Sequence, residues 1–218
     1  MTDTHPAQAV AQLLQRFESA AKSRLPSKHV LFEAVEVVEL RERQAAFREH
    51  ARHPYLYFVR HGLLKQLYTG QDGSEWIKSF AAEGDAFGCP LAFAPGGKTS
   101  FASVAVERSV VERAPWATID ALAARHPAWQ RALRLGFQWL AERKVQRERD
   151  LLMLRPPELY AAFAAASPEL LARLPQKDLA AYLGVTAVGL NRIIRRTVRA
   201  GLERNAEAGH AAARQKTR

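Results

Sequence analysis

The sequence contains one cysteine, Cys89, among 218 residues. A single thiol cannot form a disulfide within the chain, and it cannot supply the paired cysteines of a structural zinc site. We therefore expect a fold without covalent cross-links and without a bound metal. A reducing, cytoplasmic location fits this composition.

Long hydrophobic runs are also missing. No apolar stretch reaches the roughly 20 residues that a membrane-spanning helix requires, and the first residues lack the charged and continuous apolar regions of a signal peptide. We expect no membrane partner. Hydrophobic residues make up 48% of the chain, which is enough to bury the cores of two small domains.

Catalytic motifs are absent as well, since neither G-x-S-x-G nor H-E-x-x-H occurs. The Gly-Lys-Thr triplet that ends at Thr99 matches the end of a P-loop, but Ala92 stands where that loop needs its first glycine. A surface loop is the preferred interpretation. His50 and His53 lie in a polar stretch, which favours a solvated surface over a metal site. We predict that the protein is not an enzyme.

What the sequence does contain is a segment, residues 174–196, with the spacing of a helix-turn-helix. Ala180 is small where a second helix would cross the first, and Gly184 tolerates the left-handed conformation of a tight turn. Thr186 is placed to cap the second helix, while Leu190 and Ile193 form its apolar face. The spacing leaves an ordinary helical hairpin with a solvated basic face as the alternative.

Positive charge is concentrated at the same end of the chain. The formal net charge is +10, and residues 173–218 hold ten Lys or Arg against three acidic residues. That segment therefore carries +7 of the total. A basic stripe on a small module is the pattern expected of a protein that neutralises a phosphate backbone, so double-stranded DNA is the predicted partner.

Between residues 28 and 115 the sequence changes to short β-forming stretches separated by turn signals. The clearest turn is Asp72-Gly73, which predicts a hairpin. Many short strands at this spacing indicate an antiparallel sandwich or barrel. The predicted strands are residues 35–40, 55–60, 63–68, 75–80, 102–106 and 110–112, and a helix is predicted before them over residues 7–21.

Helical periodicity returns after Pro115 and predicts a long helix from Pro127 to about residue 154. Part of its surface is apolar and has to be covered, which a second copy of the chain would do; a helix lying on its own domain is the alternative. Pro156-Pro157 then ends the helix and serves as a hinge. The predicted dimerisation residues are Leu133, Phe137, Leu140, Lys144 and Leu151.

The order of these parts resembles the CRP/FNR family of bacterial transcription regulators. The residues that carry the resemblance are 57–65, 72–75, 83–88 and 174–193. The resemblance implies an α+β fold with four parts: an N-terminal helix (1–27), a jelly-roll-like β-barrel that holds the effector (28–115), a connecting and dimerisation helix (116–155) and a helix-turn-helix domain with a basic tail (156–218). It also implies a homodimer, a small-molecule effector and RNA polymerase as a further partner.

The sequence departs from the cyclic-nucleotide-binding members of that family. Cys89 stands where they carry a ribose-binding Glu, and no arginine occurs between Arg60 and Arg108 to clamp the phosphate. We therefore expect a barrel that has lost cyclic-nucleotide binding, and no cofactor. One cysteine is also too few for the iron–sulfur branch. The candidate effector-pocket residues are Phe87, Gly88, Cys89, Lys98, Thr99 and Ser100.

The second helix departs from the family too, because Ala187, Val188 and Gly189 replace the charged residues that read bases. Only Asn191 and Arg192 remain as readers, so sequence discrimination should be modest. The alternative function is a ligand-binding or protein-interaction module whose degenerate helix-turn-helix has become a partner surface. The candidate DNA-binding residues are Gln176, Lys177, Thr186, Ala187, Val188, Asn191, Arg192, Arg195 and Arg196.

Overall fold

The computed structural model describes residues 7–197. The basic tail, residues 199–218, lies outside the described residues. The chain divides into two compact units, the first ending at Val145 and the second beginning at Gln146. The domain boundaries at residues 115 and 155 are a separate, sequence-based division and stay predictions.

The first unit opens with helices, continues with strands and returns to helices. Its helices are α1 (Gln8–Ala21), α2 (Lys28–Glu33), α3 (Pro90–Phe93), α4 (Trp116–Arg125) and most of α5 (Pro127–Met153), which continues into the second unit. Its strands are β1 (Glu36–Leu40), β2 (Ala45–Phe47), β3 (Tyr55–His61), β4 (Leu64–Thr69), β5 (Glu75–Ala81), β6 (Ala86–Phe87), β7 (Ala102–Ala105) and β8 (Ser109–Pro115).

These strands form two antiparallel sheets of four, in the orders β1-β8-β3-β6 and β2-β7-β4-β5. The predicted antiparallel architecture is confirmed, while closure into a barrel stays a prediction. The predicted hairpin is also confirmed, because β4 pairs with β5 around the turn. Gly73 has a φ of +78° there, and the Asp72 carboxylate accepts a hydrogen bond from the Ser74 N–H at 3.0 Å.

One hydrophobic core contains residues from both sheets. Tyr57 and Val111 come from the first sheet, while Phe47, Leu64 and Ala105 come from the second. The Tyr57 ring stacks on that of Phe87, with ring centroids 5.0 Å apart. Alternate residues of each strand supply this core, which is the pattern expected of a half-buried sheet.

A second core lies between the helices and the other face of the first sheet. It joins α1, α2, α4 and the start of α5, with Val10, Leu31 and Ile119 among its buried residues. Trp129 is 2% exposed, and its indole N–H donates to the Pro26 carbonyl at 2.8 Å. That bond connects the beginning of α5 to the chain just before α2.

The carboxylate of Glu112 anchors α1 to the centre of the first sheet. Glu112 lies on β8 and is fully buried. Its two oxygens accept hydrogen bonds from the backbone N–H groups of Ala9 and Val10, at 3.0 and 2.9 Å. The first N–H groups of a helix have no partner within the helix, so a strand side chain here caps α1.

The second unit is helical throughout its described part. After the last residues of α5 it contains α6 (Pro156–Ala166), α7 (Pro168–Arg173), α8 (Gln176–Leu183) and a final helix, α9, described over residues 187–197. Its buried residues include Leu159, Leu174, Leu179 and Leu190. No helix of the described residues is long and apolar enough to cross a membrane.

Several short elements were not predicted from the sequence, namely α2, α3, α7, β2 and β6. Each has two to six residues, too few for a periodic pattern to emerge. The six predicted strands correspond to observed strands, with boundaries that differ by up to three residues. The predicted helix over residues 7–21 and the long helix from Pro127 are likewise observed.

We expect Glu112→Gln to destabilise the chain by about 2–4 kcal/mol, because the amide loses the charge and turns a donor toward one of the two helix N–H groups. Urea unfolding measures the change. Glu42→Gln is the control, since the Glu42 side chain is 62% exposed. Equal stability of the two variants would mean that the Glu112 contact does not anchor α1.

Candidate nucleic-acid interface and effector region

Helices α8 and α9 are joined by a tight turn with the predicted chemistry. Gly184 follows α8 with a φ of +69°, and the Val185 N–H donates to the Ala180 carbonyl at 3.0 Å. The Thr186 hydroxyl accepts a hydrogen bond from the Gly189 N–H at 3.1 Å. Thr186 therefore caps the N-terminus of α9, as the sequence predicted.

Helices α8 and α9 bury the apolar residues at which they pack together. Leu190 on α9 is fully buried and Ile193 is 8% exposed, while Leu179, Ala180 and Leu183 on α8 are buried to a similar degree. All of the candidate DNA-binding residues are exposed: Gln176, Lys177, Thr186, Ala187, Val188, Asn191, Arg192, Arg195 and Arg196. The four cations among them are thus available to a ligand in solution.

A contact between Arg147 and Tyr182 joins the end of α5 to α8 within the second unit. The Arg147 guanidinium, near the end of α5, lies 3.8 Å from the centre of the Tyr182 ring and donates to the Tyr182 carbonyl on α8. Burial lowers the pKa of Arg147, yet an arginine keeps its charge at neutral pH. Phe163 on α6 packs against the same ring, with centroids 5.4 Å apart. No local pattern in the sequence marks this contact, because its residues are 35 positions apart.

The candidate effector-pocket residues occupy very different surroundings. Phe87 is 8% exposed in the core between the sheets, whereas Lys98 is an exposed loop residue. Gly88 is partly buried, and an added Cβ there would lie 3.0 Å from the Tyr55 carbonyl oxygen. The loop before β7 is not a P-loop, because the strand Ala102–Ala105 follows where that motif needs a helix.

Thr99 is engaged by the backbone of the β2–β3 connection. It is 1% exposed; its hydroxyl donates to the Arg48 carbonyl at 2.6 Å and accepts from the Ala51 N–H at 3.0 Å. Its own N–H donates to the Ala51 carbonyl. These bonds use the hydroxyl within the protein, so Thr99 holds two loops together.

Cys89 and Ser100 lie against each other beside that loop. The Ser100 N–H donates to the Cys89 sulfur at 3.3 Å, and the two side chains are 3.5 Å apart. Burial alone would raise the pKa of the Cys89 thiol, but the hydrogen bonds from Ser100 and from the start of α3 outweigh it and lower that pKa.

Lys78, which no sequence motif marks, lies in the same region. Lys78 on β5 is partly buried, and its ammonium group is 3.8 Å from the centre of the Phe101 ring. Burial, followed by the positive charge of Lys144 on α5, lowers the pKa of Lys78 to about 8. The β4–β5 register shifts at this point, because Gln66 pairs with Ser79 but Leu67 pairs with Ile77. Lys78 is therefore the extra residue of a β-bulge.

His50, His53 and His61 each lie in different surroundings. His53 stacks on Phe47 and Tyr57, and its Nε2 is 2.7 Å from the Tyr57 hydroxyl. His50 and His61 lie beside different glutamates, Glu49 and Glu83. Within residues 7–197, no group of three or more His, Cys, Asp or Glu side chains is arranged to hold a metal.

The predicted dimerisation residues follow one side of α5. Phe137, Leu140 and Leu151 are 43%, 40% and 48% exposed. Leu133 and Lys144 are partly buried. Exposed aromatic and leucine side chains that recur along one side of a helix form an apolar surface, which another helix could cover.

Solved structures with this fold are numerous, although no protein-family model and no curated protein matches the sequence. FixK2 from Bradyrhizobium japonicum matches with a TM-score of 0.69 at 19% identity, over 77% of this chain and 86% of that one. The c-di-GMP-responsive global regulator CLP from Xanthomonas campestris matches at 0.62 and 13% identity, over 80% and 92%. A protein from Eubacterium rectale, described as a candidate regulator of the crp/fnr family, matches at 0.65 and 11%, over 84% and 87%.

Likeness at these identities establishes the fold. The chain has the fold of CRP/FNR transcription regulators, and the resemblance seen in its sequence motifs is confirmed at that level.

Thr99→Val should destabilise the chain by about 1–3 kcal/mol, because it leaves the Ala51 N–H without its hydroxyl acceptor. Lys98→Ala, one residue away, should change stability by less than about 0.5 kcal/mol. Thermal unfolding at pH 7 compares the two variants. If Thr99→Val were as stable as the wild type, the hydroxyl would be free for another role.

Proposed function

We propose that this protein is a DNA-binding transcription regulator of the CRP/FNR type, cytoplasmic and not an enzyme, that acts as a homodimer and senses a signal through its first unit. The observation that carries the proposal is the set of polar and basic side chains that α8 and α9 expose. Leu179, Leu183, Leu190 and Ile193 are buried where the helices pack. Gln176, Lys177, Asn191, Arg192, Arg195 and Arg196 are all exposed. An ordinary solvated hairpin does not require these exposed polar and basic side chains. A helix-turn-helix requires them to contact the DNA groove and the phosphates.

In this proposal α9 enters the major groove of the DNA. Asn191 and Arg192 read base edges, since asparagine can pair with adenine and arginine with guanine. Ala187 and Val188 offer only methyl groups, which suit contact with thymine. Arg195, Arg196, Lys177 and Gln176 bind phosphates and fix the register of the helix. Most of the affinity then comes from salt-sensitive phosphate contacts.

The dimer of this proposal is joined through α5. Its exposed Phe137, Leu140 and Leu151 would face the same residues of a second copy, and two copies of α9 would reach half-sites about 34 Å apart. The helix-turn-helix domain of each copy begins at Pro156, where Pro156-Pro157 opens α6 and acts as the hinge.

Signal sensing takes place without cyclic nucleotides. Cys89 occupies the position of the ribose-binding glutamate, and the Thr99 hydroxyl is held by the Arg48 carbonyl and the Ala51 N–H. A phosphate ligand would have to break those bonds before it could use that hydroxyl. The effector is therefore a different small molecule.

A second function is favoured by one observation, the 65% exposure of Val188 at the start of α9. An exposed aliphatic residue beside Ala187 also suits a protein-interaction surface, in which case the module binds a protein instead of DNA. RNA polymerase is a further partner in the regulator proposal, bound together with DNA.

Selection from a random duplex pool at near-physiological salt should enrich a near-palindrome bound by two copies. Arg192→Ala should then weaken binding to that site by about 1–3 kcal/mol and relax specificity at one position of each half-site. Arg195→Ala with Arg196→Ala should weaken binding to all duplexes and lower the salt slope by about 0.9 for each lost phosphate contact.

The matched control for these variants is Arg52→Ala with Arg125→Ala, which removes two exposed arginines of the first unit. It should leave the salt slope as it is. Unchanged DNA affinity in both the Arg192 and the Arg195/Arg196 variants would show that α9 is not the recognition helix.

Leu140→Asp should shift the protein from dimer to monomer. The dimer would bury two carboxylates that face each other, and the free-energy cost of burying them exceeds the free energy that the interface contributes. Light scattering on the eluting chromatographic peak measures the mass. Gln138→Asp is the control, since residues two apart lie on different sides of a helix. A Leu140→Asp protein that stays dimeric, or a wild type that is monomeric, contradicts the proposed interface.

A further inference from the structure

The Arg147 guanidinium caps the C-terminus of α8, the first helix of the proposed helix-turn-helix. The last four carbonyl groups of an α-helix have no N–H partner within that helix. In α8 the Ala180 carbonyl accepts hydrogen bonds from the N–H groups of Gly184 and Val185, in the turn itself. The Tyr182 carbonyl instead accepts from Arg147, which lies 35 positions earlier, on α5. A cation at this end of a helix also interacts favourably with the negative pole of the helix dipole.

An aromatic ring holds the same arginine. The Arg147 guanidinium lies 3.8 Å from the centre of the Tyr182 ring, and both residues are partly buried. Burial strengthens the attraction between a cation and a ring, because water competes less for the charge. Phe163 on α6 contacts the ring too, with centroids 5.4 Å apart. Arg147 therefore fixes the end of α8 against α5 through both the backbone and the side chain of Tyr182.

Arg147 lies on the side of α5 that carries the predicted dimerisation residues. It follows Leu140 by seven positions and precedes Leu151 by four, and residues at these spacings share one side of an α-helix. An apolar residue would continue that stripe. An arginine breaks the pattern, and its guanidinium contacts α8 of its own chain.

We propose that Arg147 is a positioning residue for DNA recognition, and that it sets the distance between half-sites which the dimer prefers. It does so without touching DNA. Gly184 and the Thr186 cap give the turn between α8 and α9 a defined geometry, so fixing the end of α8 also fixes where α9 begins. One side of α5 then carries both the dimer contact and the attachment of the recognition helix. This inference rests on the proposed function, since only a DNA-binding dimer has two half-sites.

The distance between half-sites is a strict geometric demand. One base pair added at the centre of a site moves the half-sites apart by about 3.4 Å and rotates one relative to the other by about 35°. A dimer whose recognition helices are held in place loses contacts at a site of the wrong spacing. A dimer whose recognition helices move on α5 accepts several spacings, but it binds the best one more weakly because binding has to order them.

Fluorescence anisotropy with the full-length protein and labelled duplexes tests the role of Arg147. The duplexes are the selected near-palindrome, versions of it with one or two base pairs added to or removed from the centre, and a single half-site. The wild type should bind the selected spacing about tenfold or more tightly than the altered ones, because an altered spacing costs contacts in one half-site.

Arg147→Met removes the cation and its hydrogen-bond donors. It should bind the selected site about tenfold more weakly, the loss expected for one hydrogen bond from a charged group. Its preference for the selected spacing should largely disappear. Its affinity for the single half-site should equal that of the wild type, because Arg147 does not contact DNA.

Arg149→Met is the matched control, because Arg149 is exposed and residues two apart lie on different sides of a helix. It should keep the affinity and the spacing preference of the wild type. Arg147→Lys keeps the charge but loses the planar group that lies over the Tyr182 ring, so its spacing preference should be weaker than that of the wild type. Thermal unfolding checks each variant, and Arg147→Lys decides the question if Arg147→Met does not fold.

A purely structural role of Arg147 would weaken binding to every duplex alike, the half-site included, and would leave the ratio between spacings unchanged. That result overturns the inference. A smaller salt slope in Arg147→Met also overturns it, because the arginine would then contact a phosphate. A wild type that binds all spacings equally removes the role of Arg147 and leaves the regulator proposal standing, whereas a wild type that binds no DNA at any salt overturns both.

Discussion

The contact between Glu112 and α1 is the constraint on which the first unit depends. Glu112 lies on β8, which is flanked by β1 and β3, so its carboxylate projects from the middle of the first sheet. A fully buried carboxylate is tolerated only when it is fully hydrogen-bonded. The N–H groups of Ala9 and Val10 provide those bonds. The position of α1 is thereby specified by the strand and not by hydrophobic contact alone.

Other helices then pack around α1. Val10 and Leu14 of α1 share a core with Ile119 of α4 and with Trp129 of α5. The Phe17 ring stacks on Trp139, with centroids 5.1 Å apart, almost three turns further along α5. The course of α5 within the first unit therefore follows from a chain of contacts that starts at Glu112.

The sequence was most informative where a pattern is local. The Asp72-Gly73 hairpin, the Gly184 turn and the Thr186 cap all depend on residues within four positions of one another, and all three are observed. The proposed assignment of bases and phosphates to α9 also came from local spacing. Chemistry at those positions can be inferred from sequence because the backbone geometry of a turn or cap determines which side chains it accepts.

Contacts between distant residues could not be predicted in the same way. Glu112 and Ala9 are 103 positions apart, and nothing in a run of strand residues marks one glutamate as buried. Lys78 was missed because the bulge breaks the alternation by which inward positions are recognised. Thr99 was assigned to the effector pocket from its neighbours in sequence, but its hydroxyl bonds to backbone about 50 positions earlier. Each of these depends on the sheet topology, which one sequence does not specify.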